Sequence, residues 1–455
     1  MSRSIREDRR AFLRRMQAVL AGGAAFALLP QLQLMGQAVA AEPLPGNDYK
    51  ALVCIFLFGG NDQANTIVPT GTSAYQSYAN ARPSLALPVA GLKPLTGTAL
   101  GLHPSLGGIQ TLFNQGKAAV VANVGPMVQP ITKAQWNKGN PTVAVPRQLF
   151  SHSDQAATWQ TASPSAPSRT GWLGRISDHI GPQFNAGSSA PFVISAGASN
   201  ILTVGNGVEP FQVSAFGAAS AAMRQNLFGA TRANAATSEM VGAGGDNLLM
   251  RQWSKVGTLA LDTSSTVNNA LNAVSVSTPF PATSIGRQLS VIAKMIAARS
   301  RLGLRRQVFF ASMIGFDQHD NLLYNHGNNL TMLNDAVKAF YDATVALGVS
   351  NQVTTFTGSD FGRALQSNGK GSDHGWGSHH FVIGGGVKGG SIYGQFPTVA
   401  LGTAEDAGQG RLIPTIATDQ YAGTLAKWFG ADASALASAL PNLGNFSSQD
   451  LGFLA

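Results

Sequence analysis

The fold is decided by one stretch of sequence, Ala51-Leu-Val-Cys-Ile-Phe-Leu-Phe58, which runs directly into Gly59-Gly60-Asn61-Asp62. Eight consecutive apolar residues leave no polar face, which is typical of a strand buried on both sides in a parallel sheet. The two glycines end the strand, so Asp62 should lie just beyond its carboxyl end. In open α/β sheets, ligands bind at this edge.

Similar apolar runs alternate with helical patterns along the rest of the chain. This alternation predicts an α/β fold, a three-layer α/β/α sandwich with a mostly parallel sheet and helices on both faces. The predicted strands cover 118–123, 191–195, 307–314, 353–357 and 381–383, and the predicted helices cover 106–115, 289–298, 333–347 and 415–430.

The middle of the chain, at about 196–285, has a different composition. It is rich in Ala, Ser, Gly, Asn and Thr, and its periodicity is weaker. We interpret it as an insertion with helices at 214–228 and 247–268, within a single domain over 41–455. No repeat of fixed period is present.

The first 40 residues have the order of an export signal. Arg9-Arg10 precedes Ala11-Phe12-Leu13, then comes an apolar stretch at 18–29, and Ala38-Val39-Ala40 provides a cleavage site. The alternative, a membrane anchor, is disfavoured because the apolar stretch is too short to span a bilayer. Residues 1–40 therefore predict a twin-arginine signal peptide, the twin-arginine translocase as a partner, and a periplasmic or secreted protein.

Composition narrows the classes of function. The formal charge of +9 falls to +5 once the six arginines and two acids of 1–40 are removed. No Lys/Arg run follows the signal, which argues against nucleic acid as a partner, and no other segment is apolar enough for a stable membrane span. The single cysteine, Cys54, cannot form an internal disulfide, and its apolar surroundings indicate a buried hydrophobic residue.

Asp and His residues are concentrated just after the predicted strands. Because carboxyl ends of parallel strands share one edge, these groups could converge, and a cluster of Asp and His is what a pair of divalent metal ions requires. Individually, an Asp in these places could equally cap a helix or form a turn. The residues concerned are Asp62, Asp317, His319, Asp320, Asp360, Asp373, His374, His379 and His380.

Several of these motifs together resemble the bacterial domain-of-unknown-function family numbered 1501, over nearly all of the chain beyond the signal. The resemblance implies a fold similar to the alkaline phosphatase and sulfatase superfamily; the family's activity is not established. The motifs are Phe56–Asp62, Asn65–Pro69, Leu102–Pro104, Ser151-His152, Gly171–Arg175, Gly315–His319, Ser359–Arg363 and Asp373–His380.

The superfamily likeness implies two metal sites. In the first, Asp62, Asp360 and His374 would be ligands; in the second, Asp317, His319 and His380, with His379 as an alternative to His380. Phe361 stands where sulfatases have a ligand histidine, so His374 replaces that residue in this assignment. Zinc is the expected ion, with calcium, magnesium or manganese as alternatives.

The likeness also implies a nucleophile at a helix N-terminus, where the helix dipole and a metal favour an ionised oxygen. Ser151 fits this position, although it could simply cap the helix, and a metal-bound water could attack instead. Arg363 or Arg175 could hold an anionic ester. Cys54 lacks the surrounding sequence of a formylglycine sulfatase.

Two functions therefore stand as expectations. The first is an exported, metal-dependent hydrolase of phosphate or sulfate esters, acting on a small anionic ester or a polysaccharide. The second is a catalytically inactive phosphatase-like protein that acts in binding or assembly at the cell envelope.

Overall fold

The central strand of the structure is β1, Lys50–Leu57, in which every residue after Lys50 is buried. The computed structural model describes residues 48–214, 217–218 and 248–455. The predicted signal peptide at 1–40 lies outside these residues, as does most of the helix predicted at 214–228. The described residues of that segment, Ser214 and Gly217–Ala218, form strands instead, so the helix prediction is wrong there.

A ten-stranded sheet forms around β1, in the order β14-β5-β13-β10-β1-β9-β6-β7-β8, with β15 beside β5. Its strands are β1, β5 (Ala118–Gly125), β6 (Val193–Ser195), β7 (Phe211–Ser214), β8 (Gly217–Ala218), β9 (Arg306–Met313), β10 (Val353–Ser359), β13 (Ser378–Ile383), β14 (Ile392–Tyr393) and β15 (Ile416–Ala417). Two small sheets contain β2 (Ile67–Pro69), β3 (Lys93–Pro94) and β4 (Leu100–Leu102), and β11 (Arg363–Ser367) and β12 (Ser372–His374).

The large sheet is mixed but mostly parallel. β1 is parallel to both β9 and β10, whereas β13 is antiparallel to β10 and to β5. The segment between β10 and β13 contains only the β11–β12 hairpin, so no helix carries the chain back to the starting edge and β13 returns in the opposite direction. The prediction of an α/β fold with a mostly parallel sheet is confirmed at this level.

The predicted helices that the structure describes lie close to observed ones, with one large difference, whereas the helices Thr72–Ala81, Trp172–Phe184 and Ala433–Ala439 were not predicted. The helix Leu322–Ala346 begins eleven residues before its predicted start. The polar Asn and His residues at 325–329 interrupt the apolar periodicity of its first turns, so the sequence pattern does not indicate a helix there. Among the helices of the described residues, none combines the length and apolar character that a membrane crossing requires. The helices are α1 (Gln63–Thr66), α2 (Thr72–Ala81), α3 (Gly107–Asn114), α4 (Lys133–Trp136), α5 (His152–Thr161), α6 (Trp172–Phe184), α7 (Leu248–Asn272), α8 (Ser284–Ala297), α9 (Leu322–Ala346), α10 (Thr418–Phe429) and α11 (Ala433–Ala439).

Alternation along β1 builds a core on each face of the sheet. Val53 and Ile55 pack with apolar residues of α3, α8 and α9 on one face. Leu52, Cys54 and Phe56 pack with residues of α5, α6, α10 and α11 on the other. Successive side chains of a strand point to opposite faces, so one apolar run serves both layers. Burial raises the pKa of the Cys54 thiol well above its ordinary value, as expected for a buried hydrophobic residue.

The register of the three central strands sets the position of the site. Leu57 at the end of β1 lies opposite Met313 at the end of β9 and Ser359 at the end of β10. The three strands therefore stop at the same level, and the segments that follow them emerge at one edge of the sheet. These segments contain Asp62, Asp317 and Asp360.

One further buried acid affects stability. Asp419, in the first turn of α10, is 1% exposed. Burial raises the pKa of Asp419 to about 7, and the backbone N–H groups of Asp419 and Asn442, together with the Arg175 charge, offset this only in part. Arg175 directs its guanidinium at the carbonyl oxygens of Thr161, Thr170 and Ala439 instead.

Asp419→Asn should remove a pH dependence of folding. Because the folded state favours the protonated acid, its favourable contribution is complete below about pH 4 and is lost as pH rises through about 7. The loss is on the order of a few kcal/mol. Chemical denaturation between pH 4 and 8 should show the variant gaining stability relative to wild type at high pH. Asp432→Asn, at the N-cap of α11, is the control, and an unchanged pH profile in Asp419→Asn would contradict this account.

Candidate functional site

Two glycines allow the three strand exits to come close together. A Cβ on Gly59, where φ is +112°, would lie 2.2 Å from the backbone nitrogen of Asp317. A Cβ on Gly60, where φ is +85°, would lie 2.5 Å from the ring of Phe361. Only glycine allows both the left-handed backbone and this close approach. The Gly-Gly pair that ends β1 thus brings the segments after β9 and β10 against it.

Three side chains meet at this edge around a common point. The Nε2 atoms of His152 and His374 are 2.9 Å apart, and each lies 3.3 Å from Oδ1 of Asp317. His152 is the first residue of α5, Asp317 follows β9, and His374 ends β12. Their side chains are 32%, 45% and 24% exposed, so the cluster is open to solvent.

The partners of the outer ring nitrogens determine what the inner ones can do. His152 Nδ1 lies 2.9 Å from the Asp360 carboxylate, and His374 Nδ1 lies 2.7 Å from the carbonyl oxygen of Phe150. Both partners are hydrogen-bond acceptors, so each Nδ1 must carry a proton. In the neutral rings, both Nε2 atoms are then bare lone pairs that face each other at 2.9 Å. This arrangement requires a cation between them, either a proton or a metal ion.

The two imidazoles differ in their affinity for that proton. The hydrogen bond to Asp360 raises the pKa of His152, whereas burial lowers the pKa of His374. Without a metal ion, His152 would carry the extra proton and donate it to His374. A metal ion would displace that proton, as is usual when histidine binds a metal.

The three donor atoms fit a zinc ion. Atoms separated by 2.9, 3.3 and 3.3 Å share an equidistant point about 1.8 Å away in their own plane. An ion slightly above that plane would meet all three at roughly 2.0–2.2 Å, the usual length of zinc bonds to histidine nitrogen and carboxylate oxygen. Two nitrogens and one oxygen also suit zinc better than magnesium or calcium, which prefer oxygen ligands only.

His319 lies beside this triad as a possible fourth ligand. Its Nε2 is 2.9 Å from Nε2 of His374 and 3.0 Å from Oδ1 of Asp317. Its Nδ1 lies 3.3 Å from the Asn368 amide and 3.5 Å from the Asp373 carboxylate, so its tautomer is less constrained than those of the other two rings.

Groups around the triad hold the ligand side chains in place. Asp360 is buried and also accepts a hydrogen bond from the Gly59 N–H at 3.0 Å. The ring of Phe361 packs against His152 and His374, with centroids 4.8 and 4.9 Å away. Phe361 therefore supports the two imidazoles from one side.

Backbone strain accompanies the contact with His374. Phe150 has φ of +73°, in the left-handed region that a bulky residue rarely adopts. Its carbonyl oxygen accepts the hydrogen bond from His374 Nδ1. Strain of this kind persists only where surrounding contacts impose it, and here it aims a carbonyl at a ring of the triad.

Arg363 is committed to the cluster rather than free for a substrate. It is fully buried, and its Nη1 donates to Oδ1 of Asp317 at 2.7 Å and to the Gly59 carbonyl at 3.0 Å. Its Nη2 donates to the Ser372 carbonyl. Burial opposes ionisation of Asp317, but Arg363 and the neighbouring histidines hold its pKa below the ordinary value. Arg363 therefore fixes Asp317 in its ionised form.

Two of the residues predicted as metal ligands, Asp62 and His380, are each buried in surroundings of their own. Asp62 forms a fully buried pair with Arg82, at 2.9 Å and 2.7 Å to the two guanidinium nitrogens. Burial opposes its ionisation, yet Arg82 outweighs this and holds its pKa below the ordinary value. His380 is buried in β13 and stacks on Tyr421, and burial lowers its pKa to about 3.

The remaining predicted residues lie close to the triad in different roles. Asp317 and His374 belong to it, and His319 adjoins it. Asp360 contacts it through His152 Nδ1. Ser151 precedes His152 at the start of α5, and its hydroxyl donates to Asp154 Oδ2 at 2.6 Å.

The sequence pattern does not predict His152 as a ligand. The motif Ser151-His152 indicates a nucleophilic serine at a helix N-terminus. That the histidine reaches the cluster depends on the path of the long segment before α5, which the sequence does not reveal. Phe150 and Arg411 were also not singled out. Arg411 donates from Nε to the His374 carbonyl at 2.7 Å, and its guanidinium lies 5.0 Å from the centre of the Phe150 ring.

Asp360→Asn should weaken metal binding by about ten- to hundredfold, the usual effect of changing a group that supports a ligand histidine. The amide keeps the shape and one acceptor but removes the charge that makes His152 a stronger ligand. Competition with a chromophoric chelator measures the affinity. The control is Asp373→Asn, an exposed acid 3.5 Å from His319, which should change affinity less than threefold. Equal affinities for wild type and Asp360→Asn would contradict the role given to Asp360.

Comparison with known proteins places the chain in a family. None of the curated proteins matches it. A profile of the family described as "Protein of unknown function (DUF1501)" matches residues 49–416, a range that contains the triad, His319, Asp360 and Arg363. Because this match spans well over half of the sequence, the chain belongs to the DUF1501 family.

Proposed function

We propose that the protein is an exported, metal-dependent hydrolase of phosphate or sulfate esters that works with one divalent ion, zinc in the first place. The observation that carries this proposal is the pair of facing Nε2 atoms of His152 and His374, 2.9 Å apart, with the Asp317 carboxylate 3.3 Å from each. Because both Nδ1 atoms carry protons, both Nε2 atoms present lone pairs, which suit a bound cation.

One ion, rather than the two that the superfamily likeness implies, agrees better with the surroundings. Asp62 is already neutralised by Arg82, and His380 is enclosed between β10 and α10, where its Nδ1 lies 3.5 Å from the Thr357 hydroxyl. Neither side chain could reach the triad without breaking buried contacts. Breaking a buried ion pair typically costs about 3–5 kcal/mol, which is more than a surface rearrangement would return.

His152, Asp317 and His374 would hold such an ion, and the chemistry it would supply there is polarisation of the ester and a more acidic attacking oxygen. The protein's own residues provide the support. Asp360 keeps the proton on His152 Nδ1, Arg363 keeps Asp317 ionised, and the Phe361 ring shields one side of the imidazoles from water. The exposed side of Asp317 and His319 leaves room for a substrate.

The metal assignment predicts about one equivalent of zinc per folded chain, and a rise in melting temperature when zinc is added to metal-free protein. His374→Ala should lose at least a hundredfold in affinity, because it removes one of three ligands. His380→Gln, a histidine of the same β12–β13 region, is the matched control and should keep the full equivalent. Elemental analysis and thermal melts measure both. Folded protein with much less than one equivalent after incubation with zinc would overturn the assignment.

The nucleophile can be identified with Ser151→Ala. The Ser151 hydroxyl has a carboxylate base within reach, Asp154 at 2.6 Å, which is the arrangement of an activated serine. If Ser151 attacks, the variant should lose about a thousandfold or more of the turnover of an aryl phosphate or aryl sulfate. If water attacks, the loss should stay below about tenfold. His374→Ala should be inactive in both cases, and activity that survives His374→Ala would contradict the hydrolase proposal.

A second candidate function is binding or assembly at the cell envelope without catalysis. The pairing of Asp62 with Arg82 favours it, since a charge pair now stands where the superfamily likeness implied a metal ligand. Protein that binds zinc but hydrolyses neither aryl phosphates nor aryl sulfates would support this candidate over the hydrolase.

A further inference from the structure

The charges around the triad leave one arginine in position to recognise a substrate. Arg363, the arginine expected to hold an anionic ester, is fully buried and uses its Nη atoms on Asp317 and two carbonyls. Arg411 is half-buried instead, and its Nε donates to the carbonyl oxygen of His374 at 2.7 Å. The Arg411 guanidinium thus contacts the backbone of one triad residue.

Most of the Arg411 hydrogen-bonding capacity remains available. Its Nη1 reaches the Gly408 carbonyl only at 3.4 Å, and the described residues give its Nη2 no hydrogen bond. The guanidinium lies 5.0 Å from the centre of the Phe150 ring, which fixes its plane without using its N–H groups. An arginine held in this way presents two donors to an oxyanion.

The segment that carries Arg411 is rigid. The Asp406 carboxylate accepts hydrogen bonds from the backbone N–H groups of Gly402, Gly408 and Gly410, at 2.7, 2.7 and 2.8 Å. The backbone of Arg411 also exchanges two hydrogen bonds with Ala407 and Gly408. A side chain on such a loop is positioned before a ligand arrives, which lowers the entropic cost of binding.

The nearby acids do not neutralise Arg411 fully. Asp373 and Asp406 attract it through space, but Asp373 gives its hydrogen bond to Asn368 at 2.8 Å, and Asp406 is occupied by the three N–H groups of its own loop. Neither acid forms an ion pair with Arg411 among the described residues. An oxyanion that also contacts the triad would compete well with them.

We propose that Arg411 forms an oxyanion subsite beside His374, which would make phosphate monoesters and sulfate monoesters, rather than neutral esters, the substrates of the site. This inference rests on the proposed function, because the anion would be shared between Arg411 and the metal ion. Arg411 would bind the part of the ester that keeps its charge, while the scissile bond lies at the triad.

The test uses the full chain loaded with Co²⁺, whose visible absorption reports both metal occupancy and the arrival of an anion. Inorganic phosphate and inorganic sulfate are titrated separately into wild type, Arg411→Gln, Arg411→Lys and Arg301→Gln. Arg301 is an exposed arginine next to β9 at the opposite edge of the sheet, so its variant controls for the loss of one positive charge.

We expect Arg411→Gln to weaken phosphate binding by about ten- to thirtyfold, the usual effect of losing a charged hydrogen-bond donor. Arg411→Lys should recover part of this loss, and Arg301→Gln should change binding less than twofold. Co²⁺ affinity should stay within threefold in all variants. Equal phosphate affinity in Arg411→Gln and wild type would overturn the subsite, as would a parallel loss of Co²⁺ affinity. Failure of wild type to bind Co²⁺ would instead overturn the proposed function.

Discussion

The site depends on one constraint, the common ending level of three buried parallel strands. β9, β1 and β10 pair in register up to Met313, Leu57 and Ser359, so the chain leaves the sheet three times at one place. Each exit carries an acid, and the crowding is tolerable only because Gly59 and Gly60 have no side chain to collide with the neighbouring exits. Apolar packing on both faces fixes the register. A shift of one residue would turn every core side chain of β1 to the opposite face of the sheet, against helices that do not fit it. The geometry of the polar cluster is therefore set by hydrophobic burial.

The structure then distributes the acids between two tasks. Asp62 points inward and is balanced by Arg82, a pair that is entirely buried. Asp317 points outward, is held by Arg363, and keeps nearly half of its surface in solvent. Asp360 is buried like Asp62 and accepts hydrogen bonds from a backbone N–H and from His152. Buried carboxylates are costly unless each finds a partner, and the outward one alone combines ionisation with access. That difference, rather than the residue type, decides which acid can serve as a ligand.

Sequence reasoning could predict the α/β fold and the edge at which Asp317, Asp360 and His374 gather, because periodicity and the parallel-sheet rule both act locally. It could not predict that Asp62 would be neutralised, since Arg82 follows α2 and its return to β1 depends on tertiary packing. It placed His380 in the loop before a strand predicted at 381–383, whereas β13 begins at Ser378, so His380 lies inside the strand and its side chain is buried. It passed over His152, whose position depends on the long irregular segment between β5 and α5. The alkaline phosphatase likeness and the export signal remain predictions from sequence.

The two facing imidazoles come from positions 222 residues apart in the chain. An ion bound by both rings would link α5 to the β11–β12 hairpin and so connect the two ends of this long chain segment. The carbonyl of the strained Phe150 already contacts His374 there. Fastening distant segments reduces the freedom of the unfolded chain, and the effect grows with the length of the loop that is closed. Small exported proteins often obtain this benefit from a disulfide. The single cysteine of this chain is buried in β1 and cannot form an internal disulfide. A metal ion bound by His152 and His374 would serve instead as a reversible cross-link.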